Sequence, residues 1–160
     1  MDGLQQDEMA RTPGAALVYP ILFCYRHYLE LRIKQLIFYV VAMQNALAQI
    51  DAATAARKEE DVYGKHGLKA LWNMLQHLDA KIDLWATGSQ RKGLLRLLDE
   101  LDRQDPVAQA ARYPIDSKGN QTLTGLSIVD MGNVKTAVHK VARYLETTEY
   151  HLIEVEPDYC

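Results

Sequence analysis

The segment YRHYLELRIK, Tyr25 to Lys34, sets Arg26, His27, Glu30, Arg32 and Lys34 among aromatic and aliphatic residues. On a helix, Arg26, Glu30 and Lys34 share one side, with His27 near Glu30 and Lys34. Arg32 lies apart, beside Tyr25 and Leu36. Two chemistries fit this spacing. Arg26–Glu30 and Glu30–Lys34 are i,i+4 ion pairs, each worth about 0.2–0.5 kcal/mol on an isolated helix. Alternatively, the fork of Arg26 binds a phosphate while His27 moves a proton near neutral pH. Charges inside an apolar helix cost free energy, so they need a partner or a purpose.

Further candidates lie elsewhere in the chain. His66 stands just before an apolar run in KHGLKALW, either as a local structural residue or as an imidazole near Arg26 and His27. Arg112-Tyr113-Pro114 precedes Asp116, and Pro114 biases Tyr113 to extended backbone. This loop either packs with Arg112 on a carboxylate or lends Arg112 to a site. His139 and Arg143 share a helical face, whereas His77 and His151 fit ordinary surface positions. The candidate catalytic set is Arg26, His27 and His66. The candidate binding set is Glu30, Arg32, Arg112, Tyr113, Asp116 and His139. The chain has no P-loop, GxGxxG, HExxH, GxSxG or CxxC pair, and no His/Asp/Glu cluster has metal-ligand spacing. Neither a metal nor a cofactor is expected.

Four main helices must position these residues. The first is expected from near Tyr19-Pro20, because Val18, Leu22, Tyr25, Leu29, Ile33, Leu36, Val40, Met43, Leu47 and Ile50 recur at helical spacing. Phe23, Leu31, Ile37, Phe38 and Val41 lie off that stripe, which suits a central helix or one at an oligomer interface. Residues 51–64 read as a polar connector with one helical turn. Leu68, Leu71, Trp72, Leu75, Leu78 and Ile82 predict a second helix ending near Trp85, and Trp72 and Trp85 are assigned to the core. Ser89 is a candidate N-cap for a third helix carrying Leu94 to Leu101, which stops before Asp105-Pro106. Residues 105–126 are irregular. The last helix starts near Ser127 or Asp130, with Val134, Val138, Val141, Leu145 and Leu152 as its stripe. No strand is expected. The fold class is all-α, a bundle of four to five helices with a long central first helix and an irregular loop before the last helix.

The whole chain sets bounds on these readings. Its 160 residues fit one domain, expected at 17–156, behind a mobile N-terminal arm at 1–16. Lys plus Arg is 18 against 21 for Asp plus Glu, which argues against nonspecific coating of duplex DNA. Cys24 and Cys160 form no disulfide framework or zinc spacing, so a reducing cytoplasm is the simplest setting. The uncharged stretch from Gln35 to Ile50 is only 16 residues long and holds Gln35, Gln44, Asn45 and Gln49, against about 20 apolar residues for a membrane span. No export signal or membrane segment is expected.

Three features stand in order: YPILFCYRHYLELRIKQLI, then KHGLKALWNML, then ARYPIDSKG before the last helix. Over residues 18–154 this set resembles the HEPN superfamily of small bacterial helical domains. The resemblance implies a bundle of four to five helices, usually a homodimer. It implies roles in toxin–antitoxin pairs, phage defence or RNA processing, sometimes beside a nucleotidyltransferase partner. Enzymatic members are metal-independent ribonucleases in which an arginine is followed, after four to six intervening residues, by a histidine near the start of the last helix. The candidate histidine here is His139, and the position six before it is Asn133. The expected function is therefore a dimeric HEPN-like module of a defence or toxin–antitoxin system without the standard ribonuclease motif. The alternative is a divergent ribonuclease using Arg26 and His27 with help from His66 or Arg112. Expected partners are a second copy, a protein of the same operon, and RNA or a nucleotide.

Overall fold

The computed structural model describes residues 15–79, 88–105, 118–119 and 130–155. These form five α-helices: α1 Ala15–Ala46, α2 Ala52–Tyr63, α3 Leu68–Leu78, α4 Gly88–Gln104 and α5 Met131–Tyr150. A short π-helical turn, His151–Val155, continues α5. The described residues contain no strand, and the architecture is the all-α bundle expected from the periodicity. No helix among them is long and apolar enough to cross a membrane.

Helix α1 packs against α2, α3 and α5, while α4 packs on α3 and α5 rather than broadly on α1. The core is continuous through all five helices. Leu29, Ile33, Leu36 and Ile37 of α1 meet Leu68, Leu71, Trp72 and Leu75 of α3, Leu94 and Leu98 of α4, and Leu145 of α5. Trp72 tilts against Tyr144 with ring centroids 5.8 Å apart.

The element bounds differ from the sequence reading in five places. Helix α1 starts at Ala15 rather than at Tyr19-Pro20, so Pro20 lies inside it and Ala15 and Ala16 belong to the helix instead of the arm. Pro20 is exposed and lies in the second turn, where its missing N–H removes one bond. At its other end α1 stops at Ala46, and Ala48 turns the chain with φ of 55°. Residues 52–63 are a three-turn helix rather than a connector. The Asp51 side chain caps it by accepting from Thr54 N at 2.6 Å, and Ala55 and Val62, seven apart, are buried. Helix α3 ends at Leu78, where Asp79 is extended, short of Trp85. Trp85 lies outside the described residues, so its assignment to the core is not addressed. Ser89 lies within the first turn of α4, which begins at Gly88, and is therefore not its N-cap.

Among the residues off the α1 stripe, Ile37 and Val41 are fully buried and Phe23 and Phe38 half-buried. Leu31 alone of that group is exposed, because α2, α3 and α5 together surround more of α1 than its stripe implied. The last helix begins at its Asp130 cap, one of the two expected starts, and Val138, Val141, Leu145 and Leu152 are buried as its stripe requires.

Two outcomes check this packing. Val62→Ala should cost about 2 kcal/mol in urea denaturation, through lost transfer energy and a cavity, whereas a connector residue would cost almost nothing. Ala48→Gly should leave stability unchanged or raise it by up to about 1 kcal/mol, because glycine reaches positive φ without a Cβ penalty.

Candidate functional site

The charges of α1 lie inside the bundle. Arg26, Glu30 and Lys34 retain 2%, 3% and 8% of their exposure. They follow one another at i, i+4 and i+8, so they form one column on the inward side of the helix.

Arg26 is the hub of this column. Its Nη1 donates to Glu30 Oε2 at 3.2 Å, and its Nη2 donates to the His66 carbonyl at 2.7 Å and to Asp102 Oδ1 at 3.3 Å. One guanidinium thus joins α1 to the α2–α3 link and to α4. Glu30 Oε1 lies 3.0 Å from Lys34 Nζ and 3.0 Å from His66 Nδ1. Lys34 Nζ also donates to the Tyr63 carbonyl at 3.4 Å.

Asp102 has a second task. The N-cap of α3 is Gly67, which has no side chain to offer the free backbone N–H groups of the first turn. Asp102 supplies both oxygens from α4, accepting from Leu68 N at 2.8 Å and Lys69 N at 2.9 Å. A surface pair, Lys69 Nζ to Asp99 Oδ1 at 2.6 Å, reinforces the same α3–α4 contact.

Electrostatically the cluster is closed. Two cations, Arg26 and Lys34, face two carboxylates, Glu30 and Asp102. Burial pushes the Glu30 carboxyl up, but hydrogen bonds and charge from Lys34 and His66 outweigh it and hold Glu30 below the ordinary carboxylate range. A phosphate entering here would have to displace a carboxylate. His66 is the member open to solvent: its side chain is about half-exposed while Nδ1 rests on Glu30.

The other sequence candidates are placed as follows. His27 is half-buried and stacks on Phe23 with ring centroids 5.5 Å apart and an interplanar angle of 10°. Among the described residues no bond joins its ring to the Arg26 cluster. Arg32 reaches the other way, donating to Glu149 Oε2 of α5 at 2.6 Å and to Gln35 Oε1 at 2.8 Å. His139 is exposed on α5. Arg112, Tyr113 and Asp116 lie outside the described residues. The structure therefore brings together Arg26, Glu30 and His66 and keeps His27, Arg32 and His139 apart from them.

Asp102 was absent from the sequence candidates. The available signal was the α3 start itself, KHGLKALW, which carries no Ser, Thr, Asp or Asn to cap it and so calls for an acceptor from elsewhere. A groove between α4 and α5, lined by Leu94, Leu97, Lys140, Arg143 and Tyr144, shares no residue with the cluster. Among the described residues no group of three or more His, Cys, Asp or Glu could hold a metal ion. No family model, no curated protein and no solved structure matches the chain.

Arg26→Ala removes one partner of a buried pair and should lower stability by about 3–5 kcal/mol. The pH dependence follows from the direction of the Glu30 shift. A carboxyl with a depressed folded-state pKa contributes its stability fully above the unfolded value of 4.5 and loses it as pH falls through the lower folded value. Urea denaturation between about pH 5 and pH 3 should therefore show a smaller loss of stability for Glu30→Gln than for the parent protein.

Proposed function

We propose that this chain is a HEPN-like helical module without catalysis of its own, acting in the cytoplasm through protein contacts in a bacterial defence or toxin–antitoxin system. The ordered segments around YRHYLELRIK, KHGLKALW and ARYPIDSKG support the family reading, as does a five-helix bundle with a long first helix.

Asn133 carries the non-catalytic half of the reading. It occupies a position at which the HEPN ribonucleases would place their arginine relative to His139. Here it belongs to the start of α5: Asn133 Nδ2 donates to Asp130 Oδ2 at 2.8 Å and Asn133 N to Asp130 Oδ1 at 3.1 Å. The substitute cation, Arg26, is buried among its partners and does not face solvent.

A divergent metal-independent ribonuclease is the second reading, and one contact favours it. The half-exposed His66 ring is held through Nδ1 by Glu30, and a carboxylate in that place fixes the tautomer and orientation of a general base. Such a base would take the 2′-OH proton, and a nearby cation would have to stabilise the charge on the phosphorane.

Two assays separate these readings. A labelled RNA with single-stranded loops, incubated in EDTA, should stay intact with the parent protein. His66→Ala should change stability by about 1 kcal/mol or less. Cleavage by the parent that disappears in His66→Ala at unchanged melting temperature would establish the ribonuclease instead. Co-expression with the product of the adjacent gene should give a stoichiometric complex by light scattering. Failure to form that complex, with no RNA cleavage, would sink the module reading.

A further inference from the structure

We propose that the groove between α4 and α5 is the seat of an acidic amphipathic helix contributed by a different protein. The proposal names a kind of partner for the protein-contact reading above and rests on that reading.

Charge is segregated on the two walls of the groove. Residues 88–98 of α4 carry Arg91, Lys92 and Arg96 and no acidic residue, and residues 131–145 of α5 carry Lys135, Lys140 and Arg143 and none. The whole chain, by contrast, has a net charge of −3. Arg96, Lys140 and Arg143 line the groove itself and are exposed. Among the described residues none of these three has a carboxylate partner. The two acidic residues on the α4 wall, Asp99 and Glu100, are already engaged: Asp99 Oδ1 holds Lys69 Nζ at 2.6 Å and Glu100 Oε1 holds Arg103 Nη2 at 2.6 Å. The charge left to a partner is therefore positive, and it calls for carboxylates in return.

The shape of the groove fits a helix. It runs from Ser89 to Glu100 on α4 and from Asn133 to Thr147 on α5, beside about 16 Å of one helix and about 21 Å of the other. Its volume is about 1230 Å³, above the roughly 300–1,000 Å³ of a small-molecule pocket. A helix about 10 Å across and about 21 Å long fills about 1600 Å³, a volume of the same order. Between the charged walls the lining is small and apolar. Gly93 and Ala137 let a third backbone come close, and Leu97 is half-buried.

Nucleic acid fits this groove less well. Single-stranded RNA is held by bases stacked on exposed aromatic faces. Tyr144, the aromatic ring among the described lining residues, is 5% exposed and tilts against Trp72. Asp99 and Glu100 would also lie beside the phosphates. An amphipathic helix avoids both difficulties. Its apolar stripe covers Leu97 and Ala137, and acidic residues on its two flanks reach Arg96 on one wall and Lys140 and Arg143 on the other.

Fluorescence anisotropy with the full chain tests the proposal. The probe is a fluorescein-labelled peptide of about 18 residues, long enough to form a helix, with a leucine stripe flanked on both sides by glutamates. It should bind with a Kd below about 100 µM, and a lysine-flanked counterpart at least tenfold more weakly. Lys140→Glu combined with Arg143→Glu should weaken binding of the glutamate peptide at least tenfold. Gly93→Phe should do the same by filling the groove, with the melting temperature retained, because nothing lies within 4 Å of the position a Cβ would take there. No binding of the glutamate peptide, equal binding of the two peptides, or binding that survives these variants would each overturn the proposal. So would a preference for a labelled uridine dodecamer, which would assign the groove to RNA. The complex with the product of the adjacent gene separates this proposal from the reading beneath it. A complex that survives Gly93→Phe in light scattering would overturn the groove as its seat and leave the protein-contact reading standing, whereas no complex with the parent protein would overturn both.

Discussion

A buried guanidinium must find its hydrogen-bond acceptors inside the protein, and Arg26 obtains them from three separate elements. Glu30 lies one turn along the same helix, the His66 carbonyl belongs to the α2–α3 link, and Asp102 belongs to α4. Desolvating these charges offsets most of their attraction, so the cluster is a weak source of net stability. Its physical effect is positional. Apolar side chains tolerate small rotations of a helix about its axis, whereas a donor 2.7 Å from a carbonyl does not. The Arg26 contacts thus fix the rotation of α1 and the place where α3 begins. They also join α1 to α4, which otherwise packs mainly on α3 and α5.

That fixed rotation decides what α1 shows to water. With Arg26, Glu30 and Lys34 turned inward, the uncharged side of the helix must face out. Helix α1 is apolar nearly all round, so either orientation would bury enough aliphatic surface to build a core. The ionic column breaks this degeneracy. The exposed Leu17, Ile21, Tyr28 and Leu31 are then the direct consequence of burying charges that need protein partners.

Helices with strong apolar stripes were legible in the sequence because burial demands 3.6-residue periodicity. Leu29, Ile33 and Leu36 of α1, Leu71 and Leu75 of α3, and Val141 and Leu145 of α5 all fall in the core. Helix α2 was not legible by that signal. It buries only Ala55 and Val62, and its formation rests on the Asp51 cap and an alanine-rich first turn. The end of α3 was misplaced because Ile82 continues the apolar period, and period alone does not register the extended backbone at Asp79. The Arg26–Glu30 pair was legible because both partners lie on one helix. The Asp102 contact was not, since 76 residues separate it from Arg26 and nothing local to Asp102 specifies that pairing.

The cluster also shows why residue type alone is a poor guide to chemistry in this chain. Arginine, histidine and carboxylate within bonding distance would serve a phosphate-processing site and a helix-fixing tie equally well. What distinguishes the two is an unused donor or acceptor that faces solvent. Among the described residues the Arg26 Nε–H has no partner, but it is buried, so a solute could reach it only by opening the bundle. Glu30 and Asp102 each accept from more than one donor. His66 is different: its carbonyl is held by Arg26 and its Nδ1 by Glu30, while about half of its side chain remains in water. Any change at Arg26 would therefore disturb the fold and the orientation of His66 together, and lost activity there would not separate scaffold from site. Replacing the His66 ring leaves its carbonyl, and hence the Arg26 contact, in place. Chemistry can be separated from architecture at that residue because its structural work is done largely by its backbone.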